Sequence, residues 1–181
     1  MIAMLIDADN VSYRNIKDMT DELARFGNLT IKRIYGDFTK SSMNGWKDVL
    51  LENAISPIQQ YNYTTGKNAT DSSMIIDAMD ILYFNQVDIF CQVSSDSDFT
   101  RLAMRLREAG KEVIGMGMKK TPQPFIAACN KFVYIEVLSH SLESGQVKEV
   151  SPESASIVEK ESVSPLKEGI QQQIEYVPEY N

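Results

Sequence analysis

Apolar residues recur along this chain at two alternating spacings, and that alternation sets the limits on its fold. Ile2–Ile6 is an unbroken apolar run that meets Asp7, the pattern of a strand covered on both faces. Between Tyr13 and Phe26, Ile16, Met19, Leu23 and Phe26 follow helical spacing, and Gly27 supplies a stop. Leu29–Tyr35 reads as a strand, and Trp46–Ile55 as a helix with Pro57 beyond it. Gln60–Tyr63 reads as a short strand and Thr64–Ala69 as a loop. Thr70 and Asp71 open a helix reaching Phe84. Val87–Val93 is a strongly apolar strand, Asp98–Ala109 a helix closed by Gly110, and Glu112–Met116 a strand. Pro122–Cys129 is a short helix and Phe132–Val137 a last strand. Strictly alternating strands and helices predict an α/β fold, with a mostly parallel sheet between two helical layers. Right-handed crossovers bring the carboxyl ends of the strands to one edge, where such folds bind ligands.

The pattern stops near residue 140. Residues 141–181 are rich in Ser, Pro and Glu, as in SPESAS and VSPLKEG, and hold few core-sized side chains. They read as an acidic linker or tail of disordered composition, with one short helix over Leu166–Ile174 and an onward connection to a further module as its expectations. The tail carries eight acidic residues and three lysines of a chain whose net charge is −7, so residues 1–140 are near neutral. Overall acidity therefore does not argue against a nucleic-acid partner, which needs only a local basic patch.

Composition narrows the chemistry. His140 is the single histidine, so imidazole acid–base catalysis, Ser-His-Asp triads and histidine zinc sites are poorly supplied. Cys91 and Cys129 sit in apolar surroundings without a Cys-x-x-Cys pair, and read as buried thiols rather than a disulfide or zinc site. No apolar run reaches the ~18 residues of a membrane span. The opening MIAMLIDADN meets acid too early for a secretory signal, so the expected compartment is the cytoplasm.

Carboxylates are the abundant reactive groups. Asp7 ends the first strand, Asp96 and Asp98 follow the fourth, and Asp71 begins a helix, so all four are expected at one sheet edge. Singly, each has a plainer reading: Asn10 as an N-cap in the turn after Asp7, Asp71 as the cap of its helix, Asp98 as the cap of the next. Together, several carboxylates a few ångströms apart repel one another, and a hard divalent cation with oxygen ligands removes that cost. Asp9 is a candidate supporting group. Asp77 lies one to two turns into its helix and is either aimed at the site or on a solvated face. Arg14, Lys17, Lys40, Lys47, Lys67, Lys119 and Lys120 flank the motifs as candidate phosphate contacts, with Lys67, Lys119 and Lys120 at the active edge. Tyr13, Phe38 and Trp46 are candidates for stacking on bases, with core packing the plainer reading of Trp46. Arg101, Arg105 and Arg107 read as a solvated helix face with Glu108.

Three segments resemble the NYN domain family (LabA-like proteins), a branch of the PIN-like nucleases. They are Asp7-Ala-Asp9-Asn10; Lys67-Asn-Ala-Thr-Asp71 followed by Ile76-Asp77-Ala-Met-Asp80; and Ser94-Ser95-Asp96-Ser97-Asp98-Phe99. Thr121-Pro122 and Ala127-Ala128-Cys129-Asn130-Lys131-Phe132 continue the likeness, which covers Met1–Leu138. Two departures are Ser95, where the family often has Gly, and Asn-Ala in the turn before Asp71. The resemblance implies a three-layer PIN-like domain and metal-dependent ribonuclease activity, in which a metal-activated water attacks an RNA phosphodiester. It also implies that Asp7, Asp71, Asp96 and Asp98 hold the metal or its water, with Asn10 supporting the first carboxylate. The expected ion is Mg²⁺ or Mn²⁺; Asp9, Ser95, Lys67 and Asp77 are the further supporting candidates, and Lys67, Lys119, Lys120 and Arg14 the candidate RNA contacts. Family members fused to RNA-binding modules make a missing C-terminal module, or a homo-oligomer, the partners expected besides RNA. A catalytically weak RNA-binding scaffold remains open. So does a metal-dependent phosphatase with an aspartyl nucleophile, since Asp7-Ala-Asp9 has the Asp-x-Asp spacing.

Overall fold

The structure is a computed structural model that describes residues 1–61 and 69–138. Six strands form one sheet: β1 (Ile2–Asp7), β2 (Leu29–Gly36), β3 (Ser56–Gln59), β4 (Ile89–Val93), β5 (Glu112–Gly117) and β6 (Lys131–Tyr134). The order across the sheet is β3-β2-β1-β4-β5-β6, and every neighbouring pair is parallel. Five helices connect them: α1 (Ile16–Leu23), α2 (Trp46–Glu52), α3 (Ala69–Phe84), α4 (Thr100–Glu108) and α5 (Gln123–Ala128).

Side-chain alternation along β1 decides which helix covers which face. Met4 and Ile6 point into a core shared with Ile16, Met19 and Leu23 of α1 and Trp46 and Leu50 of α2. Ala3 and Leu5 point the other way, into a core built with Met74, Ala78 and Ile81 of α3, Leu102 and Leu106 of α4 and Phe125 of α5. The result is the expected three-layer α/β/α arrangement, PIN-like. Asp7 continues the Ala3–Leu5 side of β1, and Ser94 continues the Phe90 side of β4, so both lie toward the α3–α5 layer. The chain winds outward from β1 through β2 to β3, then returns to place β4 on the other side of β1. The switch point is therefore the crevice at the carboxyl ends of β1 and β4.

Several boundaries differ from the sequence reading. Residues Tyr13–Asn15 form a 3-10 turn before α1, capped by Ser12 and not by Asn10, whose side chain is engaged elsewhere. Helix α1 stops at Leu23, so Gly27 ends the following turn rather than the helix. Gly110 does close α4: its φ of 77° is left-handed, and its N–H donates to the Arg107 carbonyl. The third strand is Ser56–Gln59, earlier than Gln60–Tyr63, because Pro57 is tolerated on a strand that is the sheet's edge among the described residues. The last strand ends at Tyr134, where its partner β5 ends at Gly117, and residues 135–138 turn helical to bury Ile135 and Leu138. Part of the Gln60–Tyr63 segment, most of the Thr64–Ala69 loop, Lys67, His140 and the whole of 141–181, including Leu166–Ile174, lie outside the described residues.

Cys91 and Cys129 are buried free thiols, as expected. Burial pushes both up, Cys129 to about 12. Trp46 is 2% exposed and belongs to the core, which removes it as a base-stacking group. No helix among the described residues is long and apolar enough to cross a membrane.

Candidate metal centre

Strand β1 delivers Asp7 to the switch point almost completely buried, at 1% exposure. Its carboxylate is held from three sides. The Asp9 backbone N–H donates at 3.1 Å, the Asn10 side-chain amide at 2.6 Å and the Ser94 hydroxyl at 2.8 Å. Burial pushes the Asp7 carboxyl above its ordinary value, and these three hydrogen bonds oppose that shift only in part. Asn10 thus serves Asp7 and not a helix end.

Strand β4 delivers the second segment. The Asp96 N–H donates to the Ser94 hydroxyl oxygen at 3.1 Å, so one serine braces both Asp7 and the Asp96 turn. Asp96 Oδ1 accepts from the Asp98 N–H at 2.9 Å, which makes Asp96 the cap of the 3-10 turn Ser97–Phe99. The capping role expected for Asp98 therefore falls to Asp96, and Asp98 stands exposed within the turn. Ser95 accepts from the Met118 N–H at 2.9 Å and ties the end of β4 to the end of β5.

Helix α3 brings the third segment. It begins at Ala69, so Asp71 lies in its first turn, at the same edge. One carboxylate oxygen each from Asp71, Asp96 and Asp98 lies within 4.8 Å of the others. Asp7 is not one of that trio, but its charge acts on Asp71. Burial, then the charges of Asp7, Asp96, Asp98 and Asp9, push Asp71 up to about 6. An all-oxygen donor set at this spacing, with one carboxylate already strained by its neighbours, fits a hard divalent cation. The chemistry such an ion supplies is Lewis-acid assistance and activation of a water.

Other anticipated residues fall at varied distances from this cluster. Asp9 is part-exposed and pairs with Lys40 at 3.7 Å. Asp77 is half-buried and not in the cluster: Arg33 and the Tyr35 hydroxyl both donate to it. Tyr35 is fully buried beside Asp7 in the β1–β2 register, so this bond fastens α3 to the sheet below Asp71. Burial and the Asp77 charge push its phenol far above the ordinary value. Tyr35→Phe leaves one Asp77 acceptor position unfilled, and is expected to cost about 1–3 kcal/mol in urea unfolding. Lys119 and Lys120 are exposed just beyond β5, at the active edge, and the Lys119 N–H donates to Glu136. Arg14 is exposed in the turn after β1, its guanidinium 5.9 Å from the Tyr13 ring. Lys17 is drawn to Asp21 at 2.9 Å, one helical turn on. Arg101 reaches Glu108 at 3.8 Å, while Arg105 donates to Tyr83 and Arg107 to the Ala128 carbonyl.

The sequence reading gave Ser94 no role of its own. The signal was available: Phe90, Gln92 and Ser94 share one face of β4, and the last of them is a small hydroxyl where a core side chain would otherwise stand. Gly117 guards the same spot. A Cβ there would lie 2.6 Å from the Ser94 carbonyl oxygen and 2.7 Å from Thr121 Oγ1. Gly117→Ala must therefore spread β4 from β5. The expected result is a loss of about 1–3 kcal/mol in thermal unfolding, with weaker Mn²⁺ binding by calorimetry, because Ser94 moves.

With this geometry in place, likeness to known proteins becomes informative. The family model for the NYN domain matches residues 1–136. An uncharacterized protein of Methanocaldococcus jannaschii is 28% identical over 120 residues, which cover 64% of this chain and 47% of that protein. The chain thus spans about half the length of this curated relative. A crystal structure of a protein of unknown function from Vibrio parahaemolyticus superposes with a TM-score of 0.62 at 21% identity, covering 74% of this chain and 91% of that one. It shares the fold.

Proposed function

The chain belongs to the NYN domain family, and from that premise we propose that it is a metal-dependent ribonuclease whose carboxylate cluster hydrolyses RNA phosphodiester bonds. The observation that carries this reading is the meeting of Asp71, Asp96 and Asp98 within 4.8 Å at the switch point, beside a buried Asp7. These four would hold Mg²⁺ or Mn²⁺. When bound, such an ion lowers the pKa of a water and offsets charge on the phosphate.

The remaining work falls to the chain itself. Asn10 and Ser94 fix the Asp7 carboxylate, so its charge faces the cluster without reorganising. Asp96 is fixed through its own cap, and Asp98 is left at the solvent side, where a strand can approach. Ser95 keeps the two loops that frame the cluster at a constant spacing. Lys119, Lys120, Arg14 and Lys67 are the cations proposed to meet the flanking phosphates. RNA is the proposed substrate, and Asp9 a supporting acid linked to Lys40.

The test is cleavage of single-stranded RNA in Mg²⁺ or Mn²⁺ with the solvent enriched in ¹⁸O. Attack by water places the label on the product phosphate and leaves no 2′,3′-cyclic end. A cyclic end would assign the attack to the ribose hydroxyl. RNA retained without turnover would make the chain a binding module, and a phosphate trapped on Asp7 would make it an aspartyl phosphatase.

A further inference from the structure

A second recess lies beside the carboxylate edge. A groove of about 570 Å³ opens between α2 and the edge strand β3, within the ~300–1,000 Å³ range of small-ligand sites. Its walls include Phe38, Met43, Lys47, Leu51, Pro57 and Gln59. Leu51 is 76% exposed, a large apolar side chain open to solvent at the groove. Among the described residues, Lys47 is the one charged side chain in the lining.

The groove lies on the α1–α2 side of the sheet, and its wall reaches the Asp7–Asp9 turn at the carboxyl edge. Phe38 follows the carboxyl end of β2, at the same sheet edge as Asp7. A Cβ on Gly36 would lie 2.9 Å from the Ala8 Cβ and 3.9 Å from both Phe38 Cζ and Met43 Cε, so the Asp7–Asp9 turn and the groove wall meet at that glycine. Lys40 reaches across to Asp9 at 3.7 Å. The wall is also held in place. Gln59 accepts from the Phe38 N–H at 3.0 Å and donates to Asp37 at 2.9 Å, and Asp37 accepts from the Thr39 hydroxyl at 2.6 Å. A groove on the α3 side, the layer that carries Asp71, has the wrong charge for a polyanion: Asp77 and Asp80 line it, and its Arg33 is engaged by Asp77.

Resting on the RNA reading above, we propose that the Phe38–Leu51 groove receives one unpaired nucleobase of the strand whose phosphate lies at the carboxylates. The base meets the Phe38 ring and the Leu51 side chain, and Lys47 meets a neighbouring phosphate. Aromatic and apolar contact suits any base, because each has a π face, so the site selects single strands over duplexes rather than one sequence.

The experiment compares two probes by fluorescence anisotropy, with Ca²⁺ in place of Mg²⁺ so that strands stay whole. One is a short oligouridine and the other an abasic ribose-phosphate strand of equal length. Leu51→Ser and Phe38→Ala are expected to weaken oligouridine binding by about fivefold or more while leaving the abasic strand unchanged. Phe38→Trp should restore oligouridine binding. Equal loss for both probes, or no loss for either, would overturn the proposal and leave the RNA reading standing. Wild-type protein that binds neither probe would remove both. A wild-type dimer that Leu51→Ser dissociates in sedimentation would assign the groove to a second copy of the chain and overturn the proposal.

Discussion

Asp96→Asn is expected to lower RNA cleavage by about 10²- to 10³-fold, while the metal-free protein melts at or slightly above the wild-type temperature. Asp96 has two duties, and this substitution separates them. Its Oδ1 caps the 3-10 turn by accepting from the Asp98 N–H. Asparagine caps as well as aspartate does, so the turn survives. The charge does not survive, and the repulsion that Asp96 exerts on Asp71 goes with it. A structural aspartate would behave otherwise, with stability and activity falling together. Asp96→Leu supplies the comparison: it loses the cap as well, at about 1 kcal/mol, and the charge. Cleavage rates and melting curves on wild type and both variants check the pattern. Equal Mn²⁺-dependent cleavage by wild type and Asp96→Asn would trace the activity to a contaminant.

Saturating Mn²⁺ should raise the melting temperature on the order of 10 °C at pH 7.5, and much less at pH 5. A ligand at about 100 times its Kd that binds only the folded state adds about 2.7 kcal/mol, which sets the scale for a domain of this size. The pH dependence comes from Asp71, raised from 3.8 to about 6 in the folded protein by burial and by neighbouring carboxylates. A raised folded pKa means that the folded state holds the proton more tightly than the unfolded state. Metal-free protein therefore gains stability as pH falls from about 6 toward 4, and carries the full repulsion above 6. Asp7, raised by burial, has the same sign. A cation removes the repulsion only where the carboxylates are ionised, so its stabilisation grows with pH across that window. Calorimetry at the two pH values, with and without Mn²⁺, measures the difference. In Asp71→Asn the pH dependence of the metal-free protein should flatten.

The sheet and its edge were legible because burial on both faces leaves unbroken apolar runs, as in Ile2–Ile6 and Val87–Val93. Helical spacing between them then fixes the alternation. The carboxylates were legible for the same reason: Asp7 and Asp96 are acids placed where apolar strands stop. The edges of the pattern were harder. The sequence treats Pro57 as a helix stop, and its place on β3, the edge strand among the described residues, makes it a strand residue. Ile135 and Leu138 fit a strand end or a helical turn equally well, and the choice depends on where β5 runs out. The partners of each carboxylate were beyond local reading. Ser94 meets Asp7 across 87 positions, and Asp77 meets Arg33 across 44, so no window of sequence joins them. The plainer reading of Asp98 as a cap belongs to Asp96 two residues earlier, since the two are equally good capping residues in a Ser-Asp-Ser-Asp run.

The central claim is that the acids at the switch point form one divalent-cation centre. Crystals grown in Mn²⁺, with diffraction collected at the manganese edge, test it most directly. The account predicts an anomalous peak among the carboxylates of Asp71, Asp96 and Asp98, on the side facing Asp7. A peak away from these residues, or none at a concentration that raises the melting temperature, would contradict it.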